Sequence, residues 1–431
     1  MKRLLASLFF VALVVFTACK KEEPAPVGET FTFTPDMADL EAAVQEALIN
    51  MNDNDIIHFS EGTFTFSATL SLDSKNNVTI EGEGRDKTIL DFSGQGNGGT
   101  GAQGMQITNV TQLLLKDFTI QDADGDNIKV KDSDGVSMIN LAAVYTGPAG
   151  PDNGAYALYP VTSKNVYIHN CYVRGASDAG IYVGQSQQVI VSGNEVTECV
   201  AGIEIENCIS SDVFDNKVYN NTGGILVFDL PGLPVIENGK LTRVFNNTIT
   251  DNNHDNFAPE GNMVGIVPPG SGLMLLASRE IEVFGNTFTD NNLMPMSMFS
   301  YTIIALGGDP IDLPATYDPN VQKIYVHDNT FTPVNKPFNP NQTEFGLALQ
   351  QAYSMHPDLD LFNDMPDVIW GGITDPNNTG SLTHDICIKN NGDMRFVNLK
   401  AATAFQLLND DITPHDCTRD PLPAVTVNAR Q

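Results

Sequence analysis

In the stretch GASDAGIYVGQS, which starts at Gly175, Tyr182 sits between Ile181 and Val183; in VAGIEIEN, which starts at Val200, the corresponding place holds Glu204, with Glu206 two residues on. Two carboxylates at that spacing on an extended strand point to the same side, about 6.8 Å apart at the backbone. From there they can share one Ca²⁺ or divide the roles of general acid and general base. A tyrosine ring suits the face of a sugar, and a tyrosine hydroxyl beside a cation can carry a proton in β-elimination or epimerisation. Lys129 and Lys131, in NIKVKD from Asn127, would neutralise a carboxylate on the substrate. The candidate catalytic set is therefore Tyr182, Glu204, Glu206 and Lys131, with Glu204 and Glu206 also the candidate calcium ligands. The candidate binding set is Lys129, Tyr159, Arg174, Asp178, Phe228 and Asp229.

What would position these residues is a repeat. Blocks of the form apolar-x-apolar-x-x-Asn-x-apolar begin at Val189 (VIVSGNEV), Ser211 (SDVFDNKV), Thr242 (TRVFNNTI), Ile281 (IEVFGNTF) and Ile324 (IYVHDNTF). The same frame without its Asn fits LLLKDFTI from Leu113, VSMINLAA from Val136 and VYIHNCYV from Val166. Successive starts lie 23, 30, 23, 22, 31, 39 and 43 residues apart, so the short intervals are the unit and the long ones carry inserted loops. Each unit holds a second short alternating segment, among them GIYVGQ, GIEIEN, GILVFD and GLMLLA, and alternation with period two marks β-strand. A unit of about 22 residues made of very short strands cannot bury its apolar side alone and must stack on copies of itself. The expected fold is all-β, a single right-handed parallel β-helix.

In that frame Ile181, Val183, Ile203, Ile205, Ile225 and Val227 face the core, and Asn194, Asn216, Asn247, Asn286 and Asn329 form a ladder at one bend. One outward column is expected to run Lys129, Ala157, Tyr182, Glu204, Leu226, Met274, and its neighbour Lys131, Tyr159, Gly184, Glu206, Phe228, Leu276. Arg174 and Asp178 fall on the bend before Tyr182, and Asp229 follows Phe228. The segment DMADLEAAVQEALINM has helical spacing and suits a cap on the first coil, since an open coil end exposes core and strand edges. The β-helix with this cap is assigned to 31–335, and 336–431 to a C-terminal cap that regains the pattern only at ICIKNNGDMRFVNL. Asp124, Asp126, Asp132 and Asp134 lack the Glu that closes a calcium-binding EF loop and read as a coil corner. His254, in the long insertion after Asp251, reads as a loop residue.

The chain has 431 residues, 42% of them hydrophobic, with 36 Gly and one Trp, so it can bury a large core. Lys plus Arg total 23 against 53 Asp plus Glu, a net charge of −30. Phosphate contacts need clustered Lys and Arg, so nucleic acid is excluded as a partner. Ser-His-Asp order, HExxH, CxxC and a phosphate-binding loop are all lacking. Lys2 and Arg3 precede an apolar run from Leu4 to Phe16, too short for a spanning helix of about 20 residues, followed by Thr17-Ala18-Cys19. This start resembles the lipobox of bacterial lipoproteins. The resemblance implies a signal peptide over 1–18, lipidation at Cys19, a tether over 19–30, and a place in the bacterial cell envelope, lipid-anchored and periplasmic or surface-exposed. Cys387 and Cys417 are the pair expected to form a disulfide in such an oxidising compartment.

GDNIKVKDSDGVSMINL, NGAYALYPV, GASDAGIYVGQS, VAGIEIEN, TGGILVFDLPGLP and NFAPEGNMVG resemble a family of bacterial parallel β-helix repeat proteins over roughly residues 50 to 425. More distantly, the repeat is similar to the β-helix class of pectate lyases, polygalacturonases and mannuronan C5-epimerases. His356-Pro357-Asp358 and Pro414-His415-Asp416 echo only part of the epimerase motif and lie outside the expected coils. The wider resemblance implies lysis, epimerisation or hydrolysis of an acidic polysaccharide. The alternative is a non-catalytic β-helix that binds glycan or protein at the cell envelope.

Overall fold

The computed structural model describes residues 28–96, 103–305, 312–332, 343–374 and 385–431. The expected signal peptide, Cys19 and all of the tether before Gly28 lie outside the described residues. Among those described, three parallel sheets of 12, 11 and 10 strands wind as one right-handed β-helix, each coil giving one strand to each sheet. Pairing is parallel throughout, as in Val189–Val191 against Val166–Ile168 on one side and Ser211–Val213 on the other.

The apolar alternation does what period two demands. Ile181, Ile203, Ile225 and Leu273 are register partners, as are Val183, Ile205, Val227 and Leu275, and all are buried in one continuous core. At about 25 cal/mol per Å² of apolar surface, no coil could gain enough from its own two or three inward side chains, so the stack as a whole forms the core.

The bends explain the Asn pattern. Gly193, Asp215, Asn246, Gly285 and Asp328 have φ between 54° and 65°, a left-handed conformation tolerated best by Gly, Asn and Asp. The Asn that follows turns inward. Its side-chain oxygen accepts the backbone N–H and side-chain amide of the ladder residue one coil earlier, while its own amide donates to the Asn one coil later: Asn194 to Asn216, Asn216 to Asn247, Asn247 to Asn286 and Asn286 to Asn329, at 2.9–3.0 Å. The ladder continues to Asn391. A second ladder, Asn221, Asn252 and Asn291, runs at the next bend. It was legible in the recurring pairs Asn220-Asn221, Asn252-Asn253 and Asn291-Asn292, each second-ladder Asn five residues after a first-ladder one.

The helix Leu40–Asn50 covers the first coil with Val44, Ala47 and Leu48 buried. At the other end the sheets do not stop at 335. Strands Val368–Trp370, Ile386–Lys389 and Phe396–Asn398 extend two of them, and helix Glu344–Ser354 packs alongside. Cys387 and Cys417 are joined by a disulfide. No helix among the described residues is long and apolar enough to cross a membrane.

Candidate functional site

The candidate residues lie on the 11-stranded sheet, on strands Ile128–Lys131, Tyr156–Val161, Ala179–Gly184, Ala201–Glu206 and Gly223–Phe228. Tyr182 is the register partner of Glu204, and Gly184 of Glu206. The expected columns need one correction. Lys129 pairs with Tyr159 and Lys131 with Val161, so Tyr159 belongs two residues from its expected place, in the column of Lys129 and Tyr182, and Ala157 lies in the solenoid core. Pro160 in the middle of that strand disguised the frame.

The second correction concerns solvent. These side chains point away from the solenoid core, as alternation requires, but they do not face water. Tyr182 is 5% exposed, Glu204 2% and Glu206 9%, and Phe228 and Leu226 are fully buried. The insertion from Asp251 to Gly270 folds back over them. Val264 and Val267 join Tyr182, Leu226, Phe228, Met274 and Leu276 in a second apolar cluster outside the solenoid. Asn256 braces the loop by donating to the carbonyls of Val264 and Val267. His254 stacks edge-on to Phe257 and serves this loop.

What the loop encloses is a cluster of three carboxyls and three tyrosines. Tyr182 donates its hydroxyl to Glu206 Oε1 at 2.6 Å. Asp178 accepts from Asn262 of the loop at 2.9 Å and from the Tyr156 hydroxyl at 3.4 Å. Glu204 Oε2 is buried without a hydrogen-bond partner. The rings of Tyr156, Tyr159 and Tyr182 lie with centroids 4.4–4.9 Å apart. The rim is formed by Lys129, whose ammonium stands 4.6 Å over the Tyr159 ring and 3.8 Å from Asp126. Gly184 makes room: a Cβ there would sit 2.3 Å from the Tyr182 hydroxyl oxygen.

Burial without cations sets the electrostatics. Desolvation raises Asp178 to about 7, helped by the nearby charge of Glu206 and opposed by Asn262 and Tyr156. Desolvation, with Asp178 and Glu206 adding to it, holds Glu204 well above the usual carboxylate range. Glu206 is raised by burial and pulled back by the Tyr182 hydroxyl. Tyr182 is pushed well above 10, first by burial and then by Glu206 and Glu204. A hydroxyl so placed stays protonated and acts as a donor. The sequence reading had Tyr182 beside a cation; the structure puts it beside a carboxyl.

The remaining candidates are not brought into the cluster. Lys131 is half exposed and pairs with Asp132 at 3.5 Å. Arg174 lies on a strand of the ten-stranded sheet, where it pairs with Glu198 at 2.7 Å and caps the carbonyls of Tyr145 and Thr146. Phe228 is core of the second cluster. Asp229 anchors the next loop, accepting from Gly239 N at 3.0 Å and pairing with Arg279 at 3.3 Å. Tyr156 and Asn262 join the cluster unforeseen, and Asp126 joins its rim through Lys129. The Tyr156 to Asp178 interval matches the repeat, but nothing local ties Asn262 to a residue 84 positions earlier. Among the described residues no group of three or more His, Cys, Asp or Glu is arranged to hold a metal ion.

The family comparison agrees with the fold. Residues 103–288 match the family described as right handed beta helix region. No curated protein matches the sequence. Among solved structures, the A-module of the Azotobacter vinelandii mannuronan C-5 epimerase AlgE4 is similar at 11% identity, with TM-score 0.45, over 78% of this chain and 90% of that one. Pectate lyase Pel9A is similar at 11% identity, TM-score 0.39, over 74% and 81%. An alginate lyase from Paenibacillus sp. is similar at 16% identity, TM-score 0.37, over 70% and 99%.

Proposed function

We propose that this right-handed β-helix protein is a lipid-anchored protein of the bacterial cell envelope that binds an acidic polysaccharide and acts on it at the tyrosine–carboxyl cluster. The observation that carries the reading is the enclosure of Asp178, Glu204 and Glu206 with three tyrosine rings, all three carboxyls raised by burial and Asp178 to about 7. A carboxyl near 7, as Asp178 is, exchanges protons with substrate at ambient pH, and a protonated neighbour does not repel a uronate. Aromatic faces suit sugar rings, and Lys129 at the rim offers a cation to the substrate carboxylate.

The chemistry proposed is β-elimination or its epimerising variant. Asp178, poised at about 7, takes the proton next to the uronate carboxylate. In the lyase direction the Tyr182 hydroxyl gives its proton to the departing glycosidic oxygen as the carbon–oxygen bond breaks and a carbon–carbon double bond forms. The proton taken up by Asp178 then passes through Glu206, already hydrogen-bonded to Tyr182, to the tyrosinate, which restores the hydroxyl and frees Asp178 as base. In the epimerising direction Tyr182 protonates the opposite face and no bond to oxygen breaks. If calcium took part, Glu204 and Glu206 would hold it and it would supply positive charge beside the substrate's carboxylate; among the described residues no group of three or more acidic, His or Cys side chains is arranged to hold it, and no step depends on it.

A second reading, a non-catalytic glycan-binding β-helix, is favoured by the burial of Glu204 and Tyr182 beneath the 251–270 loop. One assay separates the two: the protein from residue 28 onward against uronate polymers, with and without calcium, followed at 235 nm for unsaturated product and by NMR for epimerised residues. Turnover lost in Tyr182→Phe and Asp178→Asn with binding retained supports the catalytic reading. Binding without turnover in the wild type supports the second. Neither binding nor turnover with any polymer sinks both. For the anchor, Cys19→Ala is expected to move the protein from the membrane to the soluble fraction; unchanged fractionation without acyl label on the wild type would refute it.

A further inference from the structure

The C-terminal residues from Cys417 onward do not cap the solenoid. They run back along it, across the outer face of the 12-stranded sheet, almost to its beginning. Leu422 N donates to Glu282 at 2.9 Å, Val425 N to Asp212 at 3.0 Å and Asn428 N to the Asn165 side chain at 2.9 Å. Arg430 O accepts from the Ser137 hydroxyl at 2.5 Å, and its guanidinium donates to Val78 O at 3.2 Å.

These contacts obey a simple metric. Ser137, Tyr167, Ile190, Asp212, Arg243 and Glu282 are successive register partners, one per coil, and coils lie about 4.8 Å apart. Two coils are therefore about 9.6 Å, the length of three extended residues at about 3.2 Å each. Leu422 to Val425 spans the two steps from Glu282 to Asp212, and Val425 to Asn428 spans the next two, to the coil of Tyr167. Leu422, Val425, Val427 and Ala429 are half-buried, while Pro423, Ala424, Thr426 and Asn428 are exposed. The two carboxylates that receive the N–H groups are themselves buried and held from the side. Asp212 pairs with Arg243 at 2.5 Å, and Glu282 with His327 at 3.1 Å.

We propose that this sheet face is a binding groove for an extended peptide, and that residues 420–430 of the chain are its occupant in cis. The groove reads main-chain N–H groups three residues apart through Asp212 and Glu282. It takes the small or branched apolar side chains of Leu422, Val425, Val427 and Ala429 on its inner side, and it closes on an arginine at the carbonyl of Val78. The Cys387–Cys417 disulfide fixes the start of the segment to the sheet, so the occupant is held at high effective concentration. The carboxylates remain as a docking site for the same extended chemistry whenever the segment lifts.

The test uses the full chain. Val425→Pro removes the N–H that Asp212 accepts, and proline suits an extended segment that already contains Pro421 and Pro423. Ala424→Pro, one residue earlier and exposed, stiffens the segment equally but removes none of these bonds. Hydrogen exchange read by mass spectrometry is expected to show residues 422–430 protected in the wild type. Protection should fall about tenfold or more in Val425→Pro, as loss of a hydrogen bond to a charged acceptor implies, and stay unchanged in Ala424→Pro. A fluorescein-labelled peptide of residues 420–431 is expected to bind Val425→Pro and to be excluded from the wild type. Unprotected amides in the wild type would overturn the proposal even if Val425→Pro failed to fold. So would equal effects of the two prolines, or no peptide binding to a folded Val425→Pro.

Discussion

Two outer faces of the same solenoid bury carboxylates, and they do so by opposite means. On the 12-stranded sheet Asp212 and Glu282 each have a cationic or imidazole partner and a main-chain N–H from the C-terminal segment. On the 11-stranded sheet Asp178 has the Tyr156 hydroxyl and Asn262, Glu206 has the Tyr182 hydroxyl, and Glu204 Oε2 has no hydrogen-bond partner. Burial costs a charge several kcal/mol unless it is paired. The first arrangement meets that cost with partners and suits binding a chain. The second meets it by retaining protons and suits proton transfer.

The largest expected effect tests the core that both faces share. Ile203→Asp would place an unpaired carboxylate in the solenoid interior, with a loss of about 4 kcal/mol or more in urea unfolding; a loss under about 1 kcal/mol would mean that Ile203 does not face inward. Next, Asp212→Ala leaves Arg243 without its partner and the strap without an acceptor. It is expected to cost about 2–3 kcal/mol, whereas Glu204→Gln, which replaces an acid whose neutral form burial favours, is expected to stay within about 0.5 kcal/mol. Equal losses would erase the contrast between the faces. Gly184→Ala drives a Cβ into the Tyr182 hydroxyl; the expected cost is about 1–3 kcal/mol, with the Tyr182–Glu206 bond lost and, on the proposed mechanism, turnover with it. A crystal structure of the variant with that bond intact would contradict it.

The smallest effect is a slope. Asp178 has its folded-state value raised from 3.8 to about 7, so between those limits the folded state holds a proton that the unfolded state has released. Stability therefore falls as pH rises from about 4 through about 7, by at most about 1.4 kcal/mol per pH unit, and levels off above. The self-repulsion of a chain with net charge −30 acts in the same direction. The difference between wild type and Asp178→Asn across that range isolates the Asp178 share, and identical pH profiles would show that Asp178 is ionised when folded.

The strands, their stacking and, apart from the strand of Ala157 and Tyr159, the orientation of side chains relative to the solenoid core were determined by the sequence itself. Period two, the apolar pairs at Ile181–Val183 and Ile203–Ile205, and the inward Asn after each left-handed residue are local rules that every coil repeats. Only the tertiary structure decided what covers each outward face. Alternation says that Glu204 points away from Ile203; it cannot say that Asn262 will donate to Asp178 across 84 residues, or that Val425 will donate to Asp212 across 213 residues. Those contacts come from insertions and a terminal segment that carry no repeat. Their placement depends on the shape and charge of a surface that exists only once the coils have stacked, and the same outward carboxylate becomes a solvated charge, a peptide anchor or a buried acid according to what settles on it.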